Sequence, residues 1–117
     1  VRDTISGRRY SDIIEIAKDQ IRKTYMSDEI SLNTIAAEVG MSPSYFSSIF
    51  SKEMGKTFVE YLTEIRMDRA KELLMCSSMK TSEIGYEVGY KDPHYFSYIF
   101  KKTQNCTPKE FRARGKE

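Results

Sequence analysis

The sequence PSYFSSIF at residues 43–50 returns as PHYFSYIF at residues 93–100. A second block repeats upstream of each copy, since IAAEVG at residues 35–40 matches IGYEVG at residues 84–89. The later copy has one added residue between the two blocks, just after the glycine. Repetition of this kind is the signature of a duplicated structural unit, and a turn tolerates an inserted residue. The chain therefore contains two copies of one small unit.

Each copy predicts two short helices separated by a tight turn. In the first copy, Ser31 caps a helix, and Gly40 ends it because glycine most easily adopts positive φ. Ser42 and Pro43 restart a helix, as a hydroxyl cap followed by proline at the first helical position. So short a gap predicts the steep crossing of a helix-turn-helix. Spacings of three and four define its apolar stripe, which consists of Leu32, Ile35, Ala36, Val39, Phe46, Ile49 and Phe50.

The second copy repeats these signals. Gly89 ends its first helix, and Asp92 with Pro93 supplies the cap and first turn of the next. One copy alone would fit a generic helical hairpin equally well. Two copies, with polar outer faces on both second helices, favour recognition of DNA. We call the second helix of each copy its reading helix. The buried face of the later helix repeats as Phe96, Ile99 and Phe100.

A long helix is predicted between the two copies. Thr57 and Glu60 form a capping box at its start. A helix from Phe58 to Met75 rises about 27 Å, whereas one turn of B-DNA is roughly 34 Å. Such a helix can hold two reading helices near successive major grooves, although it must join two cores in any case. Its apolar stripe comprises Phe58, Tyr61, Leu62, Ile65, Ala70, Leu73 and Leu74.

Two outer helices complete the prediction. An opening amphipathic helix is marked by Ile13, Ile14, Ala17, Ile21 and Tyr25. Thr107 with Glu110 forms a second capping box before a closing helix. We predict an all-α protein of about seven helices, with two helix-turn-helix subdomains joined by a long central helix. The predicted divisions are a linker or disordered end at 1–10, a first subdomain at 11–56, a connecting helix at 57–76 and a second subdomain at 77–117.

Composition and motifs limit the classes of function. Hydrophobic residues make up 39% of the 117 residues, and no apolar stretch reaches the 18 residues of a membrane span. The N-terminus lacks an apolar signal segment, so we expect a cytoplasmic location and no membrane partner. The charged start without an initiator Met predicts a segment of a longer protein, whose regulatory domain is fused elsewhere.

The chain offers no evident set of side chains for catalysis or metal binding. Cys76 and Cys106 form no CxxC pair and His94 is the only histidine, whereas a structural zinc site usually takes four such ligands. We interpret both cysteines as packing or surface thiols. The GKT at residues 55–57 is similar to the end of a phosphate-binding loop, but Phe50 stands where that loop requires glycine. We therefore expect no enzyme, no cofactor and no metal.

Positive charge is concentrated near the end of the chain. The net charge is only +2, but residues 91–117 hold seven Lys or Arg and three acidic residues. A basic end is compatible with a polyanionic partner. A solvated charged face explains the same pattern equally well.

These motifs resemble the DNA-binding domain of the AraC/XylS family of bacterial transcription regulators. The resemblance covers about residues 13–114, most specifically VGYKDPHYFSYIFKK at 88–102, with TP at 107–108 and FR at 111–112 beyond it. It is strongest to YesN-like two-component response regulators, in which this domain follows a receiver. It implies sequence-specific binding of double-stranded promoter or operator DNA by the output domain of an activator, with RNA polymerase as a further partner.

Two residues depart from the family pattern. Asn105 stands where glycine is usual, and we expect the turn to survive because Asn tolerates left-handed φ. Gly85 stands where alanine is usual, and we expect it to weaken its helix by about 1 kcal/mol.

The resemblance, together with the helix faces, assigns residues to DNA. A helix in the major groove presents its N-terminal residues to base edges. The hydroxyls of the first reading helix are expected to read shape and methyl groups, and His94 to read a base edge directly, although an exposed histidine at a helix start fits as well. The expected base readers are Ser44, Ser47, Ser48, His94, Ser97 and Tyr98. The expected DNA-backbone contacts are Tyr45, Ser51, Lys52, Tyr95, Lys101 and Lys102.

The sequence leaves alternatives for Tyr45, for Arg66 and for the function of the whole chain. Tyr45 can reach DNA or pack against the turn. Arg66 is expected to hold the connecting helix in place, through an ion pair or a carbonyl contact. A helical adaptor that binds proteins rather than DNA would explain the helices, but not the duplicated turn and the polar reading faces.

Overall fold

The computed structural model describes residues 10–115, which form seven helices and no strand. The predicted all-α architecture is therefore confirmed. The predicted linker at 1–10 lies outside the described residues, except for Tyr10, which begins the first helix. The helices are α1 (Tyr10–Thr24), α2 (Leu32–Glu38), α3 (Pro43–Met54), α4 (Phe58–Cys76), α5 (Thr81–Glu87), α6 (Pro93–Gln104) and α7 (Pro108–Gly115).

The described residues divide into two compact units. The first unit comprises residues 10–24 and 29–62, and the second unit comprises residues 25–28 and 63–115. The boundary falls inside α4. One continuous helix therefore contributes side chains to both hydrophobic cores.

Aromatic side chains fill the core of the first unit. Phe50 is completely buried, and its ring centroid lies 5.6 Å from that of Phe46, 6.1 Å from that of Phe58 and 5.6 Å from that of Tyr61. Pairs of this kind are worth about 0.5–1.5 kcal/mol each beyond their buried area. They attach α3 to the start of α4. The aliphatic members of this core are Ile13, Ile14, Ala17, Ile21, Ile35, Ala36, Ile49 and Leu62.

The second unit has a matching core. Phe96 and Phe100 are completely buried, whereas the predicted core residue Ile99 is only partly buried and packs at its edge. Cys106 is buried in this cluster and Cys76 is exposed, so the packing and surface roles expected for the two thiols are confirmed. The other buried members are Met67, Ala70, Leu74, Ile84, Val88 and Tyr90.

Local signals in the sequence end and start the helices as predicted. Gly40 and Gly89 have positive φ, 74° and 117°. Asn105 has φ 67° and its N–H donates to the carbonyl of Lys101 at 2.9 Å, so the expected left-handed turn is confirmed. The N–H of Thr107 donates to Glu110 at 2.8 Å, which lowers the pKa of that carboxyl. The same capping box joins Thr57 and Glu60.

Gly85 has a packing role that helix propensity does not describe. A Cβ built at this position would lie 2.7 Å from two carbon atoms of the buried Phe96 ring. The repeat-equivalent residue in the first unit is Ala36, which is itself completely buried. The absence of a side chain at Gly85 therefore makes room for Phe96, in addition to the cost to the helix that the sequence predicts.

Candidate nucleic-acid interface

The first reading helix is α3, and it has two contrasting faces. Phe46, Ile49 and Phe50 are buried against the first unit. The opposite face carries the predicted DNA residues, of which Ser44, Tyr45, Ser48 and Lys52 are exposed and Ser47 and Ser51 are partly buried. Ser47 and Ser51 therefore expose less of their side chains to solvent than the sequence pattern alone indicates.

Tyr45 is held at both ends. Its backbone N–H donates to Ser42 Oγ at 3.3 Å, within the cap that starts α3. Its hydroxyl lies 2.6 Å from the hydroxyl of Tyr10 on α1, and this hydrogen bond raises the pKa of Tyr45. The structure thus adds a surface contact with another helix to the two roles that the sequence leaves open for Tyr45.

The second reading helix is α6, and it starts at a side-chain cap. Asp92 Oδ1 accepts a hydrogen bond from the N–H of His94 at 2.9 Å. Phe96 and Phe100 are buried on one face. All six residues predicted to contact DNA from this helix are exposed, namely His94, Tyr95, Ser97, Tyr98, Lys101 and Lys102.

Three of those six residues contact one another. The ring centroids of Tyr95 and Tyr98 are 6.3 Å apart, and Lys102 Nζ lies 5.7 Å from the centroid of Tyr98. Tyr90, in the turn before α6, packs against Tyr95 with centroids 5.8 Å apart. A lysine placed over an aromatic ring is attracted by the ring quadrupole. Tyr90, Tyr95 and Tyr98 form an aromatic row. This row favours one position of the Lys102 ammonium group on the exposed face of α6.

Arg66 ties this turn to α4. Its Nε donates to the carbonyl oxygen of Tyr25 at 2.8 Å and its Nη2 to that of Ser27 at 3.0 Å. Its Cζ lies 4.8 Å from the centroid of Tyr90, and the residue is 8% exposed. The expected carbonyl contact of Arg66 is confirmed. Its planar guanidinium binds segment 25–28 and the turn before α6 at once.

Gly89 makes room for this guanidinium. A Cβ at Gly89 would lie 2.8 Å from atoms of the Arg66 guanidinium, and the φ of 117° is itself unfavourable for other residues. The glycine that the sequence shows as a helix end is therefore also required by a side chain on another helix.

Two basic residues in the basic end of the chain also hold the fold. Lys91 Nζ lies 2.6 Å from a carboxylate oxygen of Asp28, and this contact lowers the pKa of Asp28. Arg112 donates from Nε to the carbonyl of Leu74 at 2.9 Å and from Nη2 to that of Ser77 at 3.1 Å. Lys91 is therefore paired with an acidic side chain within the protein, and the Arg112 guanidinium is bonded to backbone carbonyls. Sequence reasoning missed these contacts because their partners lie at least 35 residues away.

Within residues 10–115, no group of three or more His, Cys, Asp or Glu side chains could hold a metal ion. The helices in that range are also too short or too polar for any of them to cross a membrane.

This chain is similar to known helix-turn-helix transcriptional regulators. A family model for a helix-turn-helix domain matches residues 35–114. An uncharacterized HTH-type transcriptional regulator in the cgkA 5' region of Pseudoalteromonas carrageenovora is 36% identical over 86% of this chain and 58% of its own length. The chain spans 34% and 31% of the length of two further curated relatives.

Two solved structures are similar to this chain in both fold and sequence. The C-terminal domain of AraT, a response regulator from Geobacillus stearothermophilus, is 36% identical with a TM-score of 0.87, over 92% of this chain and 88% of that one. The C-terminal domain of the two-component response regulator yesN from Fusobacterium nucleatum is 35% identical with a TM-score of 0.82, over 84% and 95%.

The chain has two copies of one turn, and each is followed by a helix with an exposed polar face. These features define a helix-turn-helix DNA-binding domain of a transcription regulator. Within that class, the chain belongs to the AraC/XylS family. It is similar to the C-terminal domains of YesN-like response regulators. The resemblance found in the sequence is confirmed.

The Arg66 contacts predict a large difference between two arginines of α4. Arg66→Lys keeps the charge but loses the paired carbonyl bonds, so we expect the free energy of unfolding to fall by about 1–3 kcal/mol. Arg69→Lys is the matched control, because Arg69 forms an exposed pair with Glu72, and we expect a change within about 0.5 kcal/mol. Urea unfolding followed by circular dichroism measures both. Equal effects of the two substitutions would show that the two hydrogen bonds from the Arg66 guanidinium to backbone carbonyls do not stabilise the second unit.

Proposed function

We propose that this chain is the output domain of a longer bacterial transcription regulator, and that α3 and α6 enter successive major grooves of one DNA duplex. The observation that supports this most strongly is the repetition of a two-faced helix. The helices α3 and α6 each bury two phenylalanines and carry polar residues on the opposite face, which are all exposed on α6 and mostly exposed on α3. An adaptor that binds proteins rather than DNA would not account for two copies of such a face.

Base reading is proposed for the exposed N-terminal side chains of the two helices. Neither set contains Arg, Asn or Gln, the side chains that bond purines in pairs. His94 offers a ring nitrogen to a base edge, and its backbone is fixed by the Asp92 cap. The serines form single, weaker bonds that several bases can satisfy. The proposed readers are Ser44, Ser47, Ser48, His94, Ser97 and Tyr98.

Contacts to the DNA backbone are proposed for residues beside or beyond these readers. Lys101 and Lys102 lie further along α6 and carry full charge, so they suit phosphates. Lys102 is also steadied by the ring of Tyr98. The proposed backbone contacts are Tyr45, Ser51, Lys52, Tyr95, Lys101 and Lys102.

The continuity of α4 supports the use of successive grooves. Its 19 residues rise about 28 Å, against roughly 34 Å for one turn of B-DNA. A continuous helix cannot lengthen to follow elements that are moved apart. The separation of the two DNA elements is therefore expected to be fixed.

Further features of the whole protein are proposed. The curated relatives are longer than the segment that this chain matches, which supports a fused regulatory domain. A role as activator with RNA polymerase as partner is what the family resemblance implies. A cytoplasmic location accords with contact to DNA in bacteria. A purely binding role accords with a site built from DNA-facing side chains rather than from an acid–base or nucleophilic set.

A salt titration tests DNA binding and separates the roles of two residues. If about five phosphates are neutralised, log K against log salt should have a slope of roughly −4 to −5. Lys102→Ala should weaken all sequences similarly and reduce the slope by about one. His94→Ala should relax preference at one or two base pairs by about 1–3 kcal/mol. Fluorescence anisotropy with selected and randomised duplexes measures these effects.

Lys71→Ala is the control for charge, because Lys71 lies on α4 and pairs with Asp68, so its salt slope should stay that of the wild type. Binding that is absent at low salt, or insensitive to salt, would favour the protein-binding adaptor. A loss of affinity without any change in preference would show that His94 reads no base.

Insertions between the two DNA elements test the spacing. Five added base pairs turn the second element to the opposite face of the duplex, and ten add about 34 Å on the same face. Both should reduce specific affinity to that of one unit, because α4 cannot extend. Affinity and footprint retained after the ten-pair insertion would contradict a fixed spacing.

A further inference from the structure

A pair of tyrosines joins α1 to the N-terminal end of α3. The hydroxyl oxygens of Tyr10 and Tyr45 lie 2.6 Å apart, and the two rings meet edge to face with centroids 6.2 Å apart. The two residues are 49% and 48% exposed. Water can replace either partner at such a site, so the bond contributes little to stability. Its main effect is to favour one placement of the Tyr45 side chain, in which the hydroxyl faces that of Tyr10.

This arrangement prepares Tyr45 for a contact beyond the protein. The side chain is fixed at its hydroxyl by Tyr10, while its backbone N–H is fixed by Ser42. It is the third residue of α3, and Ser44 and Ser48 are exposed on the same helix. A side chain that is already ordered loses less conformational entropy when it binds.

The hydrogen-bond chemistry of the pair leaves one donor available. Two phenols that share one hydrogen bond use one O–H, and the hydroxyl that accepts keeps its own proton for a second acceptor. A hydroxyl that accepts a hydrogen bond also donates more strongly. An oxygen of a DNA phosphate is an acceptor of the required kind.

We propose that Tyr10 is a positioning residue of the DNA interface and that, with Tyr45, it forms a site for one phosphate of the DNA backbone. The proposal rests on the proposed function, which gives Tyr45 a backbone contact. It extends the interface of the first unit from α3 to the first residue of α1. Since both groups are neutral, the site sets the register of α3 on the duplex without releasing a counterion.

Removal of single hydroxyl groups tests this proposal. Tyr10→Phe deletes one oxygen and keeps the ring contact, so we expect affinity for duplex DNA to fall about three- to tenfold. Tyr45→Phe should have an effect of similar size. The double variant should lose less than the product of the two single losses, because either substitution breaks the pair.

The salt dependence separates this role from that of a charged contact. The slope of log K against log salt should stay at the wild-type value in Tyr10→Phe and Tyr45→Phe, whereas Lys102→Ala reduces it. Tyr86→Phe is the matched control, because Tyr86 is 70% exposed on α5 and outside both reading helices. We expect wild-type binding from this control, and thermal unfolding of all three tyrosine variants close to that of the wild type.

Two results would overturn the proposal. Wild-type affinity of Tyr10→Phe would show that the bond to Tyr45 does not serve DNA binding. Losses that multiply in the double variant would show that Tyr10 acts independently of Tyr45. Lys102→Ala, measured in the same assay, reports DNA binding by the second unit, so failure of the tyrosine site is distinguishable from failure of the proposed function.

Discussion

Burial of two phenylalanine side chains on each reading helix is the constraint on which the rest of the structure depends. Phe46 and Phe50 in the first unit, and Phe96 and Phe100 in the second, have no exposed area. Full burial of a phenylalanine is worth about 1.5–3 kcal/mol, so rotation of either helix about its axis would expose a large apolar area. The polar face is therefore held outward in both units. This face is what duplex DNA can contact.

The two units use different means to prepare that face. In the first unit, the reading helix carries small hydroxyls, and Tyr45 is steadied from α1 by Tyr10. In the second, Arg66 fixes the turn before the reading helix, and an aromatic row extends from Tyr90 towards Lys102. Two of the three proposed lysine contacts, Lys101 and Lys102, and the proposed histidine contact belong to the second unit. We therefore expect the second unit to supply more of the affinity and the first to contribute mainly through shape.

Much of the fold could be predicted from the sequence because its signals are local. Caps, proline at the first helical position and positive φ act within a few residues, and this is why the sequence predicts the starts of α3, α4, α6 and α7 and the turn at Asn105 correctly. The closing capping box of Thr107 and Glu110 also formed as expected. The internal repeat also predicts the two-unit architecture, because the second copy of the sequence should fold in the same way as the first.

The features that sequence reasoning missed depend on residues far apart in the chain. Tyr10 falls in a predicted linker, yet its hydroxyl partner is 35 residues away. The sequence explains Gly85 by propensity, whereas Phe96 occupies the space that a side chain would need. Arg66 was expected to bind carbonyls or an acid, but only the fold identifies Tyr25 and Ser27 as its partners. Such contacts leave no periodicity in the sequence.

The central claim is that both reading helices contact DNA through their exposed faces. Intermolecular nuclear Overhauser effects between isotope-labelled protein and a selected duplex test it most directly. We predict contacts from DNA protons to Ser44 and Ser48 on α3 and to His94 and Ser97 on α6, with none to the buried phenylalanines. Contacts confined to α7 or to the outer side of α4 would contradict this account, because DNA would then be bound by a different surface.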